Sequence, residues 1–191
     1  VILMMTSFLI IKPFPVTPHI LYVPTVASFE PVFQKGMSYA TYANLTPDAY
    51  NSTESDESLG CMKQIGVDWV AINVVGWYQS NNRSADIHKN SSQAPTDEAL
   101  SHVIQRAHIL SIHVMLKPMI DLEDGRWRGE IQPSEAWFQN YSNYIKSFAN
   151  LAKENKVEML CIGTELKQTV SNETQWRNIV AAVRQCYSGQ L

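Results

Sequence analysis

Cysteine is scarce in this sequence: three in 191 residues, at Cys61, Cys161 and Cys186. An odd, scattered set argues against a disulfide framework, and without C-x-x-C spacing there is no zinc ribbon or thioredoxin-like motif. Runs of Lys or Arg are missing and the formal net charge is −3, so the basic face that nucleic acid requires is not there. No G-x-G-x-x-G or G-x-x-x-x-G-K-[ST] follows any apolar run, which removes the fingerprints of nucleotide binding. A G-x-S-x-G nucleophile elbow is also absent, as are H-x-H and H-E-x-x-H. Nothing in the sequence asks for a cofactor.

What remains is a globular composition, 45% apolar and 17% charged. The chain opens on VILMMTSFLII, eleven residues without charge. That is too short to span a bilayer, which takes about 20 apolar residues, and it reads as a signal-peptide or anchor remnant covering 1–11. An N-terminal strand is the other reading. Residues 12–32 carry Pro13, Pro15, Pro18, Pro24 and Pro31 and read as a linker. Six N-x-S/T sequons, at Asn44, Asn51, Asn82, Asn90, Asn140 and Asn172, are more than twelve asparagines give by chance. They favour export and a secreted or extracytoplasmic protein. A membrane enters only through the N-terminal segment.

From residue 33 to 191 strands and helices alternate. Strands are expected at 33–39, 69–75, 112–116 and 159–163, with helices at 55–65, from Thr96, at 134–155 and at 172–187. The second strand, WVAINVV, is nearly unbroken apolar sequence, as in a strand buried on both faces. Gly66 ends the first helix, Thr96 caps the second, and 79–95 forms a long polar loop. The βαβαβαβα order implies a parallel sheet with right-handed crossovers. An open doubly wound sheet and part of a (β/α)₈ TIM barrel both satisfy it.

A barrel places its chemistry just past the C-terminal ends of its strands. Those positions hold Tyr39 with Ser38, Thr41 and Tyr42; then Trp77, Tyr78 and Gln79; then Lys117, Asp121, Trp127 and Arg128; then Thr164 and Glu165. Aromatic rings beside hydrogen-bonding groups suit a sugar, whose C–H face packs on a ring while its hydroxyls find fixed partners. Structural readings exist for each: Trp77 and Trp127 as core, Lys117 and Asp121 as an ion pair. Glu165 resists such a reading, because the next helix begins too far on for it to serve the helix N-terminus. His102 and His108, six apart, lie on different faces of a helix and His113 on the strand just after, so the three read as structural, not as a metal site.

Taken in order, KGMSYATY, VDWVAINVVGWYQ, PTDEALSHVIQRAH, VMLKPMIDLEDGRWRGEI, WFQNY and LCIGTEL resemble glycoside hydrolase family 113 from about Gln34 onward. The resemblance implies a (β/α)₈ barrel, here its first four βα units, and a retaining hydrolase acting on β-linked polysaccharide such as β-mannan. It implies that Glu165 is the general acid/base after strand 4, with a raised pKa held by an apolar surround and a neighbouring carboxylate. The nucleophile Glu would follow strand 7, beyond Leu191, and would stand about 5–5.5 Å from the acid/base. Two positions depart from the pattern: Thr164 where the wider clan has Asn, and Met119 where a polar residue is expected. A non-catalytic glycan-binding barrel and a metal-dependent barrel hydrolase are the competing readings.

Overall fold

The computed structural model describes residues 33–41, 46–78 and 86–191, and of 76–78 the backbone alone. The N-terminal apolar segment, the proline-rich stretch, Tyr42, Gln79 and the sequons at Asn44 and Asn82 lie outside the described residues.

The elements in chain order are β1 (Gly36–Tyr39), α1 (Thr53–Gln64), β2 (Trp69–Tyr78), β3 (Ile87–His88), α2 (Asp97–Ile109), β4 (His113–Leu122), α3 (Glu135–Glu154), β5 (Met159–Leu160) and α4 (Glu173–Arg184). Sheet order is β1-β2-β4-β5, all parallel, with β3 returning antiparallel on the end of β2. Each new parallel strand joins the outer side of the previous one. A doubly wound sheet reverses its direction at a switch point, whereas continuous addition in one direction is the winding of a (β/α)₈ barrel. The order therefore decides between the two architectures the sequence left open.

The helices begin where their capping residues dictate. Ser52, Thr96 and Ser134 each accept a hydrogen bond from the backbone N–H three residues on, at Ser55, Ala99 and Trp137. Acids occupy the first turn in all four helices, complementing the positive end of the dipole. The apolar stripe of α2, Ala99, Leu100, Val103, Ile104 and Ala107, is fully buried, as is the α3 stripe through Trp137, Tyr141, Ile145, Phe148 and Ala152. Both pack in one core with Val70, Ile72 and Val74 of β2 and Val114, Leu116 and Ile120 of β4. Truncating one of the buried leucines, Leu116 for example, removes about 2–5 kcal/mol.

The strands differ more from expectation than the helices. β2 and β4 run on to Tyr78 and Leu122, paired residue by residue from Trp69↔His113 to Tyr78↔Leu122. The stretch KPMIDL is thus strand, not loop. Pro118 is tolerated inside it because β5 pairs only with Met115 and Leu116, so beyond Leu116 one side of β4 has no ladder for a proline to interrupt. β5 is short, ending at Leu160 rather than Gly163. The polar loop after β2 includes the short strand β3. In α4, Ile179 and Val183 are buried, while Val180 is 36% exposed.

Candidate active site

Strand alternation sorts the interior face from the helix-covered face. On β2 and β4 the interior face carries Asn73 and Lys117, which are register partners. Asn73 is buried; its Nδ2 donates to Ser38 Oγ of β1 at 3.1 Å, and its Oδ1 has no partner among the described residues. Sequence reading missed Asn73, because one polar residue inside WVAINVV leaves the apolar run intact. Tyr39 lies on the other face. Its hydroxyl donates to Ser55 Oγ of α1 at 2.9 Å and its ring meets Tyr50 edge-on at 5.4 Å. Tyr39 therefore packs strand against helix and does not join the rim residues, a consequence of the pleat that one residue of register decides.

The rim beyond β4 and β5 holds the remaining groups. The turn after β4 is closed by Gly125 N–H donating to Leu122 C=O at 3.0 Å, and by Asp124, whose carboxylate accepts from Arg126 N and Nε at 3.1 and 2.7 Å. Trp127 then opens a single 3₁₀ turn, Arg128–Glu130. Arg128 forms an ion pair with Asp121 at the end of β4, so Asp121 takes Arg128 as its partner and not Lys117. The Arg128 side chain is only 12% exposed, and its Nη1 is without a hydrogen-bond partner among the described residues. Close by, Tyr144 of α3 donates to Met119 C=O at 2.7 Å. Burial first, and the Asp121 charge second, hold its phenol well above the usual tyrosine range.

Glu165 sits five residues past β5, and its carboxylate Oε2 accepts a hydrogen bond from Trp127 Nε1 at 2.9 Å. Its backbone is left-handed, at φ 55°. That conformation is costly for a residue with a Cβ and persists where surroundings fix it. Here they do: Tyr141 of α3 donates to Ile162 C=O at 2.9 Å, Leu166 is buried, and Trp176 Nε1 donates to Thr169 C=O at 3.0 Å. Thr164 Oγ1 turns towards Cys161 Sγ at 3.5 Å. The apolar surround expected of a general acid is not formed by the described residues, since Glu165 is exposed. An open groove of about 760 Å³ borders it, lined by Ile162, Leu166, Val170, Trp176 and Val180 among others. A second, polar groove of about 450 Å³ is made by Arg126, Glu130, Gln132 and Gln168, from the same two loops.

For Trp77 and Tyr78 only the backbone is described; it pairs with Asp121 and Leu122 of β4 and with His88 and Ile87 of β3. His88 Nε2 meets Glu123 Oε1 at 3.2 Å, a rim contact that the polar loop sequence did not disclose. The other histidines among the described residues have structural partners: His102 with Asp56, His108 with Glu158, and His113 stacked on Trp69 with its Nδ1 beside Asp68 C=O.

Singly wound parallel strands, helices on the outer face, and charged and aromatic groups gathered past the strand C-termini define a (β/α)₈-barrel protein. The chain belongs to glycoside hydrolase family 113, whose sequence model matches residues 37–191. It is similar to a family 113 β-mannanase from Alicyclobacillus acidocaldarius, with 28% identity and a TM-score of 0.75 over 82% of this chain and 52% of that one. A second structure, of a family 113 β-1,4-mannanase, gives 26% identity and a TM-score of 0.76 over 82% and 53%. The chain thus spans about half the length of these solved structures. An exo-β-1,4-mannosidase from Opitutaceae bacterium strain TAV5, 14% identical with a TM-score of 0.55 over 79% of this chain and 30% of that one, shares the fold alone. No curated protein matches the chain.

Proposed function

We propose that this chain carries the acid/base side of a retaining glycoside hydrolase acting on β-mannan or a related β-linked polysaccharide, with Glu165 as general acid/base. The observation that carries the reading is the placement of Glu165: past the fourth parallel strand, in a left-handed backbone conformation fixed on both sides, with its carboxylate held by Trp127 Nε1. Membership of family 113 and likeness to two β-mannanases support the substrate class.

In the first step Glu165 gives its proton to the glycosidic oxygen as the C1–O bond breaks, and a partner carboxylate from outside these residues bonds to C1. In the second, Glu165 takes a proton from the water that attacks C1 and releases the sugar. Lys117, Trp127, Arg128 and Thr164, with Trp77 and Tyr78 at the end of β2 and Gln79 next to them in sequence, are the proposed sugar contacts. Asp121 is the anchor of Arg128. Export belongs to the same proposal, supported by the apolar 1–11 segment and the sequons, of which Asn51 is exposed. A mass decrease on treatment with an N-glycosidase checks it.

The test of the function is Glu165→Gln in the complete reading frame that contains this chain. Mannan hydrolysis falls by about 10³-fold or more if the residue supplies the proton. Turnover close to wild type sinks the assignment, and retained mannan binding without any wild-type hydrolysis makes the protein a glycan-binding barrel.

A further inference from the structure

We propose that Gly129 and Trp127 are positioning residues for Glu165: the bare backbone at 129 leaves room for the indole, and the indole N–H fixes the carboxyl group. This rests on the acid/base role of Glu165 proposed above.

The turn that follows β4 folds the indole back over its own chain. A Cβ placed on Gly129 would lie 2.5–2.6 Å from Trp127 Cη2, Cζ2 and Cζ3. No side chain fits there while the ring keeps its place. The six-membered ring rests on Gly129, and the five-membered ring reaches out to Glu165 Oε2. Between the two, Arg128 ties the turn to Asp121 at the end of β4. Three consecutive residues therefore have complementary tasks: Trp127 holds the acid, Arg128 anchors the turn to the strand, and Gly129 makes the seat.

The hydrogen bond matters because a carboxyl group turns easily about its last bond, whose torsion is broad. An indole N–H can only donate. It therefore selects the arrangement in which Oε2 accepts and the proton rides on Oε1. A general acid works only when that proton faces the departing oxygen, and an error of 1 Å in such placement costs about 100-fold. Trp127 is 47% exposed, so a methyl group at 129 can push the ring into solvent without disturbing the core. Gly129→Ala is for that reason a clean test rather than a folding defect.

Two measurements separate positioning from general damage. In the ¹H–¹⁵N spectrum of the indole N–H groups, the Trp127 signal, identified by its loss in Trp127→Phe, shifts in both Gly129→Ala and Glu165→Gln. In the complete reading frame, Gly129→Ala and Trp127→Phe lower kcat/KM on mannan by about 100-fold. With a dinitrophenyl β-mannoside, whose leaving group needs no proton for the first bond cleavage, the loss of kcat/KM in Gly129→Ala is at least about tenfold smaller than its loss on mannan. Equal losses on both substrates, or an unmoved Trp127 signal in Gly129→Ala, overturn the positioning role. A fully active Glu165→Gln overturns the acid/base assignment instead, so the two failures are told apart.

Discussion

Among the described residues three that are not glycine adopt a left-handed backbone: Ser111, Lys156 and Glu165. The first two end helices, where such a turn closes the last hydrogen bonds; Glu165 ends nothing, and its strain has no local structural use. Relieving it should therefore separate stability from function. Glu165→Gly removes a Cβ clash of about 1–2 kcal/mol, partly offset by the extra freedom of glycine in the unfolded chain, about 0.4–1 kcal/mol. The expected result is a protein more stable by about 1 kcal/mol and inactive on mannan. Glu165→Gln keeps the strained backbone and should match wild type in urea midpoint. A Glu165→Gly variant less stable than wild type refutes the strain argument. Glu165 was recognisable in the sequence as a candidate, since a carboxylate directly after LCIGT has few other uses. Its partner was not: Trp127 reaches it across 38 positions through a turn whose shape depends on Gly129 having no side chain. Tyr39 looked equally suited to the rim, and only the strand register turns it towards α1.

At the level of elements, one device recurs. After α1, α2 and α3 the chain makes the same pair of bonds: Gly66, Ser111 and Lys156 N–H to Lys63, His108 and Lys153 C=O, and Val67, Ile112 and Val157 N–H to Met62, Ala107 and Ala152 C=O. This is the Schellman closure, which asks for a left-handed residue just past the helix. Each closure leads within two residues into the next parallel strand, so it sets how each of these three helices hands over to the sheet. Glycine occupies the position once. Ser111→Gly and Lys156→Gly should each stabilise the protein by about 0.5–1 kcal/mol, and Gly66→Ala should destabilise it by about 1 kcal/mol; thermal or urea unfolding of the three variants checks the signs. The helices were readable because caps and apolar stripes are local signals. The strands were readable as elements but not in length. Tyr78 and Leu122 belong to strands because each pairs with the other, a fact about two distant segments that neither contains. Pro118 and Asp121 break the apolar run of β4 without breaking its pairing.

Across the whole molecule, three tyrosines, Tyr141 and Tyr187 buried and Tyr144 partly buried, tie helices to strands through their hydroxyl groups. Tyr141 of α3 donates to Ile162 C=O past β5, Tyr144 of α3 to Met119 C=O in β4, and Tyr187 past α4 to Val157 C=O before β5. Each bond needs the phenol proton. Burial, the leading cause in all three, raises every one of these phenols above its ordinary value of 10.0, and Tyr187 is pushed up to about 12, with the Glu158 charge adding to the effect. The sign follows from proton counting. Below pH 10 both the folded and the unfolded chain keep these protons, and the stabilisation is present in full. Between pH 10 and about 12 the unfolded chain releases the Tyr187 proton first and binds fewer protons than the folded one, so stability falls as pH rises. Tyr141 and Tyr144 act in the same direction. The comparison that isolates Tyr187 is wild type against Tyr187→Phe. At neutral pH the variant loses the hydrogen bond to Val157 and should be less stable by about 1 kcal/mol. Above pH 10 its stability should fall less steeply than that of wild type, so that the gap between the two proteins narrows. Denaturant midpoints at a series of alkaline pH values, read beside the near-ultraviolet absorbance of tyrosinate, decide the matter. A gap that stays constant as pH rises would mean that Tyr187 ionises alike in both states and that its hydroxyl is not the alkaline weak point of the fold.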